Sequence, residues 1–147
     1  MSESKVLLVE DSPVVRLTIR QALKSSGVEE AAIFEAGTAS EAIELFNQER
    51  PEIVFVDINL PMGAPLAQGS ESFFAFLASN TNADGGPEAA RYMLAKNPAL
   101  KLVVCTGNPP EDPRVRELVR GGAFDVLQKP VRATVIRELL ERMRKDL

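Results

Sequence analysis

The sequence predicts an α/β fold, in which a five-stranded parallel sheet carries helices on both faces. Short apolar runs alternate along the chain with segments of helical periodicity, as connected strands and crossover helices require. The apolar runs contain no alternating polar residues, so each predicts a strand that is covered on both sides. Polar residues follow several runs directly and mark one edge of the sheet. We predict the strand order 2-1-3-4-5, in which the first and third strands are neighbours.

Composition indicates one domain over residues 1–147. Hydrophobic residues make up 45% of the chain and charged residues 26%, as in an ordinary globular domain. No apolar run reaches membrane-spanning length, and the first residues lack the apolar core of a signal peptide, so we expect a cytoplasmic protein without a membrane contact. The net charge of −4 argues against direct binding of nucleic acid.

The chain contains no histidine. This excludes Ser-His-Asp triads, Cys-His pairs, histidine-ligated zinc and phosphotransfer from a histidine of its own. The single cysteine, Cys105, lies inside an apolar run and is expected to be a buried, reduced thiol. Chemistry in this chain must therefore use carboxylates, hydroxyls, lysine or a bound cofactor.

The first strand is predicted at residues 6–9. The first helix follows at Ser12 and Pro13, because the hydroxyl can cap the helix and the proline suits its first position. Gly27 ends this helix. Residues 31–35 are predicted to form a short edge strand.

The second helix begins with a capping box formed by Thr38 and Glu41. Pro51 closes it before the third strand, which is the apolar run at residues 53–56 and leads directly into Asp57. This strand is the centre of the predicted sheet.

The second half of the chain continues the alternation. A helix is predicted from Gly86 to Asn97, a strand at residues 102–105, a helix that Asp112 caps, and a strand at residues 124–127. Apolar residues at helical spacing predict the buried stripes of the helices. They are Val15, Ile19, Ala22, Leu23, Ala39, Ala42, Ile43, Phe46, Ala90, Met93, Leu94, Val115, Leu118, Val119, Ile136, Leu139, Leu140 and Met143.

Five polar residues follow the predicted strands: Glu10, Asp11, Asp57, Thr106 and Lys129. Parallel strands end at the same edge, so these side chains are expected to meet there. Clustered carboxylates need a cation, and Mg²⁺ suits oxygen ligands. Asp57 could then act as a nucleophile toward phosphorus, while Lys129 and Thr106 hold phosphoryl oxygens. Taken singly, each residue also fits a structural role, such as a first-turn acid, a strand-end threonine or a solvated lysine.

Four motifs resemble those of the response-regulator receiver domain, a flavodoxin-like fold. Residues 5–13 read Lys-Val-Leu-Leu-Val-Glu-Asp-Ser-Pro, residues 56–62 Val-Asp-Ile-Asn-Leu-Pro-Met, residues 103–107 Val-Val-Cys-Thr-Gly, and residues 128–130 Gln-Lys-Pro. The resemblance covers the chain except for residues 63–83. It implies that Asp57 is the phosphoacceptor and that Glu10, Asp11, Asp57 and the backbone carbonyl of Asn59 are metal ligands. It also implies that Thr106 is the switch hydroxyl. Lys129 would bind the phosphoryl group and precede a cis bond to Pro130.

Two features depart from the family pattern. The family carries an aromatic residue three positions before the lysine, whereas this chain has Val126; Phe124 is expected to belong to the core instead. Residues 63–83 are an insertion between the third strand and the third helix, with one charge and three of the seven phenylalanines. We predict a short helix at residues 70–79 that packs beside the site and limits access to it.

The resemblance implies a stand-alone phosphoacceptor of a two-component system or phosphorelay rather than an enzyme. Its donor would be a sensor histidine kinase or a histidine phosphotransfer protein. Its switched face would bind a downstream protein, form a homodimer or serve a relay. One alternative is a phosphatase with an aspartyl nucleophile, although Asn59 stands where such enzymes carry a second acid. Others are a nucleotide binder, which the acids after the first strand oppose, and a degenerate receiver that acts as a binding module.

Overall fold

The structure is a computed structural model that describes residues 4–63 and 85–145. The predicted helix at residues 70–79 and nearly all of the 63–83 insertion lie outside the described residues. In the part that is described, no helix is both long and apolar enough to cross a membrane.

A five-stranded parallel sheet forms the centre of the molecule, in the predicted order β2-β1-β3-β4-β5. The strands are β1 (Val6–Val9), β2 (Ile33–Ala36), β3 (Ile53–Asp57), β4 (Lys101–Thr106) and β5 (Asp125–Gln128). All residues of β1 and β3 are buried, as the apolar runs at residues 6–9 and 53–56 predict for these strands. The fold class and strand order predicted from the sequence are thus confirmed.

Five helices lie in the described residues. They are α1 (Pro13–Ser25), α2 (Ala39–Glu49), α3 (Gly85–Lys96), α4 (Pro113–Arg120) and α5 (Ala133–Lys145). Helices α1 and α5 contribute to the apolar cluster on one face of the sheet, and α2, α3 and α4 contribute to the cluster on the other. The sheet is therefore covered on both sides.

The helix starts follow the predicted capping chemistry. The Val15 amide donates to the Ser12 hydroxyl over 3.4 Å, and the Arg114 amide donates to the Asp112 carboxylate over 2.9 Å. The Glu41 amide donates to the Thr38 hydroxyl over 3.2 Å.

Strand β2 begins later than the sequence pattern indicates. A 3₁₀ turn at Glu30–Ala32 occupies the start of the segment that we predicted as strand, residues 31–35. Ala32 is buried within this turn, so its apolar side chain does not distinguish the turn from a strand in the sequence pattern.

The predicted buried stripes are found in the structure, with two exceptions. Val15 is only partly buried, and Val119 is 49% exposed. Val119 lies beside an open groove between α4 and β5. The groove has a volume of about 410 Å³, and its lining residues are Pro110, Val115, Arg116, Val119, Arg120 and Val126. The prediction that Val119 is a core residue was therefore wrong, because the groove leaves that side of α4 uncovered.

The start of α3 packs directly on the end of β3. A Cβ atom on Gly86 would stand 2.2 Å from the backbone oxygen of Asp57, and one on Gly85 would stand 2.3 Å from that of Leu60. No side chain fits at either position without moving the backbone around Asp57.

We expect Gly86→Ala to lower the free energy of unfolding by about 1–3 kcal/mol, the usual cost of overpacking. Urea denaturation measures this. Gly107→Ala is the matched control, since a Cβ there would meet nothing within 4 Å. Equal midpoints for the two variants would contradict the close packing of α3 against Asp57.

Candidate functional site

Three carboxylates meet at the carboxyl edge of the sheet. Glu10 and Asp11 follow β1, and Asp57 ends the neighbouring strand β3. One oxygen from each of the three lies within 4.8 Å of the others. Glu10 and Asp57 are each 3% exposed, whereas Asp11 is exposed to solvent. The strand order thus brings together acids that are far apart in the sequence.

Lys129 lies between two of these acids. Its Nζ is 2.9 Å from Glu10 Oε2 and 3.3 Å from Asp57 Oδ1. Its backbone amide donates to the carbonyl of Thr106 over 2.8 Å, which fixes the turn after β5 against β4. The Lys129–Pro130 peptide bond is cis, as the sequence resemblance implies. Lys129 therefore supplies positive charge at the point where the buried carboxylates converge.

Burial and charge shift the pKa values in this cluster. Burial raises the pKa of Glu10, and hydrogen bonds from Lys129 and the Ser12 amide offset only part of that effect. Burial would lower the pKa of Lys129, but its contacts with Glu10 and Asp57 outweigh it and leave that pKa raised. Lys129 therefore stays charged at neutral pH.

The raised pKa of Glu10 has a consequence for stability. The folded protein binds the Glu10 proton more strongly than the unfolded chain does. The contribution of this proton to the free energy of unfolding is therefore complete below the ordinary glutamate pKa. It is lost as the pH rises through the higher pKa of the folded state.

We therefore expect Glu10→Gln to raise the melting temperature at neutral pH in a buffer without divalent ions. The gain over the unmodified protein should shrink toward acidic pH, where Glu10 is protonated. Thermal unfolding across this pH range measures both. Exposed Glu111 provides the control, because Glu111→Gln should change little. A melting temperature that falls at neutral pH would show that Glu10 is needed as an anion for folding.

Thr106 and Asn59 complete the edge of the site. Thr106 is fully buried, and its hydroxyl oxygen accepts a hydrogen bond from the amide of Asn108 over 2.9 Å. The Asn59 amide donates to Asp57 Oδ1 over 3.1 Å. The site residues predicted from the sequence therefore lie at this one edge of the sheet.

Three residues at the rim were not identified as site residues from the sequence. Asn108 donates through its side chain to Asp112 over 2.8 Å, and Arg114 Nη2 lies 3.4 Å from Asn59 Oδ1. Hydrogen bonds from Arg114 and Asn108 hold the pKa of Asp112 below its ordinary value. The sequence marked Asp112 only as a helix cap.

The position of the usual aromatic residue opens onto the α4–β5 groove. Val126 is partly buried and lines this groove. Phe124 packs partly buried against the cluster on the opposite face, where Lys101 and Arg142 lie over its ring at 4.9 and 5.7 Å. Neither Val126 nor Phe124 therefore provides an aromatic ring on the groove side of the sheet.

This chain is similar to known proteins in sequence and in fold. The family model of the response regulator receiver domain matches residues 6–71. The chemotaxis protein CheY of Listeria monocytogenes is 28% identical over 141 residues, which are 96% of this chain and 98% of that protein. CheY of Thermotoga maritima is 25% identical over the same shares of the two chains.

Two solved structures have a similar fold. The receiver domain of the response regulator AraT from Geobacillus stearothermophilus has a TM-score of 0.74 at 23% identity, covering 99% of this chain and 95% of that one. The receiver domain of a sensor histidine kinase from Pseudomonas aeruginosa has a TM-score of 0.68 at 20% identity, covering 96% of this chain and 97% of that one. The latter was solved with a magnesium ion coordinated in its active site cleft.

Proposed function

We propose that the chain is a response-regulator receiver domain, in which Asp57 accepts a phosphoryl group from a phosphohistidine on a partner protein. The main support is the arrangement of Asp57 beside Lys129, with Glu10 and Asp11 close by. A nucleophilic carboxylate, a cation for the incoming phosphoryl group and a set of hard oxygen ligands lie within one crevice. We further propose that residues 1–147 form one such domain, with the insertion at residues 63–83.

The transfer forms one bond and breaks another. A carboxylate oxygen of Asp57 attacks phosphorus, and the bond between phosphorus and the donor imidazole nitrogen breaks. The imidazole nitrogen keeps the electron pair of the broken bond. The donor histidine is then a neutral imidazole, with one proton on one of its two ring nitrogens. Lys129 lowers the repulsion between the anionic nucleophile and the anionic phosphoryl group, because its ammonium lies 3.3 Å from Asp57 Oδ1.

Receiver domains bind Mg²⁺ at an acidic site, and the donor set here fits that ion. Three carboxylates provide hard oxygen ligands within 4.8 Å of one another. We propose that Asp11, Asp57, the Asn59 carbonyl and Glu10 would hold Mg²⁺, and that the ion would neutralise charge on the phosphoryl oxygens. Asp11 is the solvent-exposed member of this set, whereas Glu10 and Asp57 are buried.

Asp11→Ala should weaken Mg²⁺ binding by about tenfold or more, because a low-affinity oxygen site depends on each charged ligand. Phosphorylation should fall with it. Isothermal titration with MgCl₂ gives the affinity, and the exposed Glu111→Gln variant is the control. Unchanged Mg²⁺ affinity would reduce Asp11 to an acid at the start of α1.

We propose that Thr106 responds to the phosphoryl group. Its oxygen accepts from the Asn108 amide, so its own proton remains available to a phosphoryl oxygen. Because no aromatic ring stands at Val126, the movement would reach the surface through the loop after Thr106 and the α4–β5 groove. That face would bind a downstream protein or a second copy of the chain, in the cytoplasm.

Incubation with acetyl phosphate and Mg²⁺, followed by intact-mass measurement, tests the proposal. We expect one phosphoryl group per chain, and its absence would count against a phosphoacceptor. The phosphatase alternative predicts rapid turnover without accumulation of an adduct. Asn59 does not favour that alternative, because its amide offers no carboxylate for acid–base work.

A further inference from the structure

Four polar side chains form a closed hydrogen-bonded ring at the rim of the crevice. We name this the rim ring; its members are Asn59, Asn108, Asp112 and Arg114. Asn59 Nδ2 donates to Asn108 Oδ1 over 3.4 Å, and Asn108 Nδ2 donates to Asp112 Oδ2 over 2.8 Å. Arg114 closes the ring, with Nη2 at 3.0 Å from Asp112 Oδ2 and at 3.4 Å from Asn59 Oδ1.

The rim ring is tied to the reacting groups by two backbone amides. The amide of Asn59 donates to Asp57 Oδ1 over 3.1 Å, and the amide of Asn108 donates to the Thr106 hydroxyl over 2.9 Å. The Asn59 side chain is therefore attached next to the carboxylate that would carry the phosphoryl group. Its amide nitrogen and oxygen both bond to the rim ring, so its orientation is fixed from the side of α4.

We propose that Arg114 is a positioning residue that slows hydrolysis of the phosphorylated form by holding the Asn59 carboxamide in the rim ring. This inference rests on the proposed function of Asp57. While the ring is closed, the carboxamide points to Asn108 and Arg114 and is not free to turn toward a water molecule beside the phosphorus. When Arg114 is removed, the carboxamide can rotate and its oxygen can accept a hydrogen bond from such a water.

The reaction that Arg114 controls is the hydrolysis of an acyl phosphate. Water oxygen forms a bond to phosphorus, and the bond between phosphorus and the Asp57 oxygen breaks. The electron pair of that bond stays on the Asp57 carboxylate, and the water protons remain with the inorganic phosphate. A carboxamide that orients the water speeds this step by positioning alone, since it neither gains nor loses a proton.

The structure separates this role from capping of α4. The cap uses the backbone amide of Arg114, which donates to Asp112 Oδ1 over 2.9 Å. Arg114→Ala keeps that backbone bond and removes the side-chain donors, including Nε, which also donates to Asp112 Oδ1 over 3.3 Å. Helix α4 should therefore remain folded in the variant, and its thermal unfolding checks this.

The experiment measures the decay of the phosphorylated protein after removal of acetyl phosphate, by intact mass, for a set of variants. We expect Arg114→Ala to lose phosphate roughly fivefold faster, the scale set by one reoriented hydrogen bond. The rate of phosphate loss in Arg114→Lys should lie between those of the unmodified protein and Arg114→Ala. A lysine ammonium keeps the charge but lacks the planar fork of donors. Arg116→Ala is the matched control, since Arg116 lies on the same helix and lines the α4–β5 groove instead.

The decisive arm is a double-mutant cycle with Asn59→Ala, which leaves the backbone carbonyl proposed for the metal in place. If Arg114 acts through Asn59, Arg114→Ala should have no effect on decay in the Asn59→Ala background. An unchanged or slower decay in Arg114→Ala alone overturns the proposal. So does an equal acceleration in both backgrounds. Absence of any adduct on the unmodified protein would instead count against Asp57 as the phosphoacceptor.

Discussion

Asp57→Asn should abolish phosphoryl transfer to this chain. The substitution keeps the size of the side chain but replaces the carboxylate nucleophile with an amide, whose oxygen carries no full charge. Asp57 is 3% exposed at the end of β3, and asparagine fits this buried position because it has nearly the same volume. After incubation with acetyl phosphate and Mg²⁺, intact mass should show one phosphoryl group on the unmodified chain and none on the variant.

Two controls make this result specific. Glu111→Gln removes an exposed acid and should be labelled normally. Circular dichroism should show that Asp57→Asn remains folded. Labelling that survives in Asp57→Asn would mean that another carboxylate of the cluster, Glu10 or Asp11, accepts the phosphoryl group.

Lys129→Ala should have opposite effects on phosphorylation and on metal binding. Loss of a cation that stabilises developing charge typically costs about 100-fold or more in rate, and we expect a decrease of that size in phosphorylation. Mg²⁺ should bind more tightly, because the ammonium that now lies 2.9 Å from Glu10 and 3.3 Å from Asp57 no longer competes for the carboxylates. Stopped-flow phosphorylation and titration with MgCl₂ measure the two effects.

One control for this prediction keeps a positive charge at position 129, and the other removes a positive charge elsewhere. Lys129→Arg retains a cation and should recover part of the rate, although its planar guanidinium cannot reproduce the lysine geometry. Lys96→Ala removes an exposed lysine at the end of α3 and should change neither quantity. A parallel fall in rate and in Mg²⁺ affinity would indicate that Lys129 supports the acidic cluster structurally.

The sequence by itself determined the fold and the edge at which the site lies. Unbroken apolar runs such as residues 6–9 and 53–56 allow few arrangements other than strands covered on both faces. Polar residues that follow such runs must then share one edge of a parallel sheet. For this reason Glu10, Asp57 and Lys129 could be placed together before any distance was known.

The tertiary structure decided the features that depend on contacts between distant segments. Val119 has the spacing of a core residue, yet it is 49% exposed because no element within residues 4–63 and 85–145 covers the groove between α4 and β5. The close approach of Gly86 to the Asp57 backbone follows from how α3 packs on β3.

The rim ring also depends on contacts between distant segments of the chain. Asn59 and Arg114 are separated by 55 positions, and their contact depends on where the loop after β4 folds over the crevice. Hydrophobic periodicity reports which face of an element is buried, but it carries no information on which polar side chains meet across a loop. Only the folded backbone brings those donors and acceptors within hydrogen-bonding distance.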